Sequence, residues 1–145
     1  MRAAQPFAPL NFLNYSSLNY RDKVAIYKLK AFARYARSEK IANATLVEAV
    51  ERAGRGQVDA DLGGGLIKQR VARKGQGRRG GYRVLIAFRS GDFAVLLFGF
   101  AKSAEDNLDD RQLAVLRRVA AAWLAADASV VQEAVEDGEL LEVVR

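Results

Sequence analysis

The chain has 145 residues, half of them hydrophobic, with no cysteine and no histidine. That is enough for one domain with its own core, and it excludes disulfide frameworks, thiol nucleophiles, thiolate zinc sites and imidazole acid–base chemistry. The formal charge of +6 is uneven: from Asp127 to Arg145 six acidic residues face Arg145 alone, a net of −5, so the preceding 126 residues carry +11.

Such an asymmetry points to a polyanionic partner such as nucleic acid. No apolar run approaches the ~20 residues of a membrane span. The first residues show no signal-peptide pattern, and the lack of cysteine fits a reducing cytoplasm.

Residues Met1 to Lys23 follow neither structural period and hold both prolines. A poorly ordered extension is expected there, ahead of one domain at 24–145. Val24 to Leu29 reads as a short strand, followed by a helical stretch over Lys30 to Arg37. Leu46, Ala49, Val50 and Ala53 recur at helical spacing, predicting a helix over Ala44 to Ala53 behind an Asn43 cap. Leu66 to Val71 alternates, with Leu66, Lys68 and Arg70 on one face and Ile67, Gln69 and Val71 on the other.

Tyr82 to Arg89 and Phe93 to Ala101 are almost continuously apolar, as central strands covered on both faces are. Asn107 or Asp109 is positioned to cap a helix reaching about Ala125, with Leu113, Leu116, Ala120, Trp123 and Leu124 as its buried stripe. Ser129 to Glu136 forms a last helical stretch ending at Gly138, and Leu140 to Val144 a terminal strand. Strands mixed with short amphipathic helices predict an α+β fold.

The most informative stretch runs from Lys68 to Arg89. Lys68, Arg70, Arg73, Lys74, Arg78, Arg79, Arg83 and Arg89 fall there without one acidic residue, and glycines loosen its middle. Cations on a loop anchored to a sheet suit a phosphate chain. Gly75, Gly77 and Gly80 spell GxGxxG, but a strand follows where a dinucleotide site needs a helix N-terminus. An arginine at position 83, inside an apolar strand, needs a partner or a cleft.

If Ser90 and Gly91 form a two-residue hairpin, partners sum to 181: Arg89 faces Asp92 as an ion pair, and Arg83 faces Phe98. Arg83, Phe98, Phe100 and Lys102 then share one face. A three-residue loop shifts that register by one.

Arginine and lysine without imidazole, thiol or evident metal cage still permit one reaction on RNA. Its 2′-hydroxyl attacks the neighbouring phosphorus while the protein aligns it, takes its proton and stabilises the charge that develops. A simple binder uses the same residue types for phosphate contact alone.

The segment from Val58 to Leu124, with YKLKAFARYAR before it and DGELLEV after it, resembles the RelE/ParE superfamily of type II toxin–antitoxin toxins, in particular its HigB-like, phage-associated branch. The resemblance implies two N-terminal helices packed on a twisted, mainly antiparallel sheet, with C-terminal helices. It implies an endoribonuclease, an mRNA interferase that needs no metal or small-molecule cofactor, cuts messenger RNA on the ribosome to inhibit translation, and is silenced by a cognate antitoxin. On this basis Lys68, Arg70, Arg83 (in Gly81-Tyr82-Arg83) and Lys102 are the expected catalytic residues.

Arg73, Lys74, Arg78, Arg79, Tyr82 and Phe100 are the expected RNA contacts. The chain departs from the family at Ser103, where a further arginine would stand, and in lacking any tyrosine after Tyr82, so Phe100 is left to supply a stacking ring. Two other readings remain at this stage: a ParE-like gyrase inhibitor with no reaction of its own, and a prophage protein that binds RNA without cutting it.

Overall fold

The computed structural model describes residues 24–73 and 77–144, without the side chains of 77–79 and 105–107. The extension at 1–23 therefore lies outside the described residues, as do Lys74 and the side chains of Arg78 and Arg79.

Among the described residues five strands form ahead of the C-terminal helices: β1 (Ala25–Leu29), β2 (Ala60–Gly63), β3 (Leu66–Arg73), β4 (Gly77–Arg89) and β5 (Phe93–Ala101). Helices α1 (Lys30–Ser38) and α2 (Asn43–Gly54) lie between β1 and β2, and a 3-10 turn (Lys102–Asn107) follows β5. Then come α3 (Asp110–Ala125), α4 (Ala128–Glu136) and the short strand β6 (Leu140–Glu142). The strands form one mixed sheet in the order β2-β3-β4-β5-β1-β6, in which β1 runs parallel to β5 and every other pair is antiparallel. The fold is α+β.

Each face of the sheet has its own core. On one, Phe32 and Ala36 of α1 and Leu46, Ala49 and Val50 of α2 pack against Ile67, Val71, Val84, Ile86 and Leu96. On the other, Leu66, Leu85, Ala87, Val95 and Leu97 meet Ala120 of α3 and Ala134 of α4, with Leu113, Leu116 and Trp123 packed around them. Two covered faces explain why β4 and β5 read as unbroken apolar runs. Gly99 lets α1 come close to β5, since a Cβ there would stand 2.7 Å from the Tyr35 ring.

Helix ends follow their caps. Asp109 accepts the Gln112 backbone N–H at 2.8 Å while Gln112 Oε1 accepts the Asp109 N–H at 3.0 Å, a reciprocal capping box at the start of α3. At α2 the expectation is corrected. Asn43 is the first helical residue and not the cap, which is Ala42, and its Oδ1 accepts a hydrogen bond from Lys28 Nζ at 3.0 Å. Strand β2 is too short and too polar to show a period, and β4 begins at Gly77 because pairing with β3 extends it through glycine-rich sequence.

The hairpin register is a second correction. Arg89 pairs with Phe93 and not with Asp92, so the loop is Ser90-Gly91-Asp92 and partners sum to 182 as far as Ile86 and Leu96. Gly91, at φ +78°, takes the left-handed conformation that a tight connection needs. The expected Arg89–Asp92 ion pair forms within this loop, at 2.6 Å. Leu97 is then an extra residue in β5, so that Leu85 pairs with Phe98 and Arg83 with Phe100. This bulge reverses the alternation of β5 and returns Phe98 and Phe100 to the Arg83 face.

Candidate functional site

Cross-strand partners share a face, so β3, β4 and β5 together lay out rows of side chains. Leu66, Ala87 and Val95 form the row beneath α3 and α4. Lys68, Leu85 and Phe98 form the next, and Arg70, Arg83 and Phe100 the one after. The face therefore passes from apolar to cationic over two rows. Arg83 is buried at 6% exposure, Lys68 is half-buried, and Arg70 on the outer strand is exposed.

Arg70 is held from behind. Asp59 Oδ2 accepts its backbone N–H at 2.7 Å and Asp59 Oδ1 accepts its guanidinium Nη2 at 3.1 Å. The same carboxylate receives Nη1 of Arg52 at 3.2 Å. Arg52, buried on α2, also pairs with Glu48 through Nε at 2.9 Å and donates from Nη2 to the Arg70 carbonyl. Burial works to raise the Asp59 pKa, but hydrogen bonds from Arg70 and Arg52 outweigh it and hold the carboxyl below its usual range.

Gln69, alternating with Lys68 and Arg70, points to the other face and is fully buried. Its Oε1 accepts the Asp59 N–H at 2.7 Å and its Nε2 donates to the carbonyls of Ala49 at 2.9 Å and Gln57 at 3.2 Å. One strand thus presents cations on one side and anchors their support on the other.

The structure brings together Lys68, Arg70, Arg83 and Phe100 on one face. Lys102 opens the 3-10 turn one residue beyond the Tyr82–Ala101 pair, at the same end of the sheet, and is exposed. Tyr82 and Arg73 lie elsewhere. The Tyr82 ring is 4% exposed on the α1/α2 face, edge-on to Tyr35, with its hydroxyl donating to Glu39 Oε1 at 3.0 Å. Arg73 stacks over that ring at 5.4 Å, and both line a groove of about 650 Å³ with Ser38, Lys40 and Thr45.

Phe100 belongs to the core at 8% exposure, whereas Phe98, 6.1 Å away between ring centroids, is 39% exposed. Both rings share the Arg83 face, and Phe98 is the one that faces outward. Asp59 and Arg52 were also missed as supports of the site, because their spacing from Arg70 carries no local period.

The model of the RelE toxin family, described as the RelE toxin of the RelE/RelB toxin–antitoxin system, matches residues 24–143. The chain belongs to the RelE toxin family. It is the toxin of a toxin–antitoxin system, and a cognate antitoxin is its partner. Neither the curated proteins nor the solved structures hold a match to it. Among the described residues of this RelE toxin no helix is long and apolar enough to cross a membrane.

Proposed function

We propose that this toxin is a ribosome-dependent mRNA interferase of the HigB-like branch, its catalytic domain spanning 24–145, and that it cleaves RNA through attack by the substrate's own 2′-hydroxyl. The observation that carries the reading is the pairing of Arg70 with Arg83 on one face, with Lys68 in the adjoining row. In the proposed step the 2′-oxygen bonds to phosphorus as its proton passes to a base, the P–O5′ bond breaks, and the leaving 5′-oxygen takes up a proton from water. The products are a 2′,3′-cyclic phosphate and a 5′-hydroxyl.

Arg83, largely desolvated, would face the phosphoryl oxygens as negative charge builds on them, where a fixed guanidinium acts most strongly. Arg70, steadied by Asp59, would orient the same phosphate. A guanidinium does not give up its proton, which leaves the lysines, and Lys68, in the row beside Arg70 and Arg83, is assigned as the group whose neutral amine takes the 2′-hydroxyl proton. Lys102 would add charge where the strand leaves the sheet.

This constellation favours cleavage over a gyrase inhibitor, which needs no phosphate-cleaving group. Inducing the toxin and mapping messenger RNA ends tests it. Codon-phased cuts are expected. Intact transcripts accompanied by DNA-damage signalling would refute it in favour of topoisomerase inhibition, and RNA bound but never cut would leave only a binding protein.

A further inference from the structure

Beside the cationic rows, Phe98, Leu108, Arg111, Gln112, Val115 and Leu116 enclose a pocket of about 320 Å³ between β5 and the start of α3. Its wall is apolar and aromatic. Phe98 leans on Phe100 at 42°, and Phe100 is fixed in the core, so the outward ring is backed by a rigid one. Two polar groups stand at the margin. Arg111 brings a cation, and Gln112, whose Oε1 is committed to the helix cap, keeps an amide nitrogen as donor.

An aromatic plate with a cation and an amide donor is the chemistry that receives a nucleobase. Location points the same way. Phe98 shares its row with Lys68 and neighbours the row of Arg70 and Arg83, two strand spacings or about 10 Å from Lys68. A protein helix fits less well. Helix recognition uses a strip of anchors at i, i+3, i+4 and i+7. Among the described residues the exposed large apolar side chains are Phe98, Val115, Val130, Leu141 and Val144, and only the first two lie at this pocket.

We propose that this pocket takes a base of the RNA strand whose phosphate occupies the Arg70–Arg83 row. The inference rests on the RNA-cleaving reading above and adds a base subsite to it. The pocket's side chains bind a base in preference to an abasic ribose, and Phe98 supplies the stacking face.

The test uses the full chain and a short labelled single-stranded RNA of 2′-O-methyl nucleotides, which cannot be cut, beside its abasic counterpart. Anisotropy titrations should show the wild type binding the intact strand about 5- to 150-fold more tightly than the abasic one, the range of one base–aromatic stack. Phe98→Ala should bring the intact strand down to the abasic level and leave abasic binding unchanged. Phe98→Trp should restore the difference. Arg111→Ala, at an exposed position that does not threaten folding, should reduce the preference in part.

Equal binding of the two strands by the wild type would overturn the proposal. So would a Phe98→Ala variant that keeps its RNA preference but loses affinity for the antitoxin, which would make the pocket a protein-docking site. Failure of the RNA-cleaving reading looks different: for a gyrase inhibitor neither strand binds and Arg83→Ala changes nothing, and for a plain RNA binder the strands bind while messenger RNA ends stay unchanged on induction.

Discussion

Arg70 and Arg83 stand directly opposite each other on neighbouring antiparallel strands. Like charges in that relationship destabilise a sheet, and here the geometry eases the cost by turning Arg70 toward Asp59 at 3.1 Å. A phosphate on this face would relieve the opposition further, because each guanidinium can offer two parallel donors to an oxyanion. An arrangement that gains from an anion is what the proposed cleavage of RNA requires.

Arg83→Ala is therefore expected to abolish growth arrest on induction, with a fall in cleavage rate of about 100- to 1,000-fold, the usual loss when one donor to a developing oxyanion is removed. Arg83→Lys, keeping the charge without the fork, should recover only part of the activity. Circular dichroism checks that both variants remain folded. Full toxicity of a folded Arg83→Ala protein would move the site elsewhere.

For Lys68 the informative comparison is between arginine and alanine. If the amine accepts the 2′-hydroxyl proton, Lys68→Arg should be nearly as inactive as Lys68→Ala in a cleavage assay while retaining RNA affinity. If the residue supplies charge alone, Lys68→Arg should cut RNA at close to the normal rate. Binding and cleavage measured on the same preparations separate the two.

Much of this surface was legible in the sequence, and the illegible parts have definite causes. Alternation in Leu66 to Val71 put Lys68 and Arg70 on one face, and β3 has that alternation. An arginine inside an apolar strand marked position 83. The cross-strand partner of Arg83 is Phe100 and not the Phe98 that a two-residue loop would give, since a loop one residue longer and an extra Leu97 each shift the register, and neither leaves a local composition signal. Tyr82 follows the same logic: next to Arg83 in the chain, it must point to the opposite face, where it meets Tyr35 and Glu39. The Arg52–Asp59–Arg70 network joins a helix, a loop and a strand, and contacts between separate elements are set by packing that no periodicity encodes.

Asp59→Asn should loosen that network. Losing charge-assisted bonds to Arg70 and Arg52 predicts a destabilisation of about 1–3 kcal/mol at neutral pH, and a larger loss of cleavage than of fold, because Arg70 is no longer held. The pH dependence has a fixed sign. The folded-state pKa lies below the ordinary 3.8, so the contribution is complete above that value and disappears as pH falls through the lowered one. Denaturant titrations should show wild type and variant separated at pH 7 and converging in the acid range. A constant separation down to the acid limit would mean that the carboxylate charge is not what matters.

At the alkaline end Tyr35 governs the response. Burial, reinforced by Glu39 and by Tyr82 and opposed by Arg73, pushes its hydroxyl up to about 12 from an ordinary 10.0. Between those values the unfolded chain has released the phenolic proton while the folded chain still holds it, so unfolding is increasingly favoured as pH rises. Burial and the bond to Glu39 raise Tyr82 as well, and it acts in the same sense. Tyr35→Phe removes this ionisation and keeps the ring that packs against Phe32 and Tyr82. Its stability should therefore decline less steeply than the wild type's from pH 10 to 12, by at most about one proton per chain. Stability measured by denaturant across that window checks the slope, and absorbance of ionised tyrosine follows the titration itself. Identical slopes in the two proteins would show that the Tyr35 hydroxyl titrates as it does in the unfolded chain, and that the α1/β4 contact leaves it accessible to water.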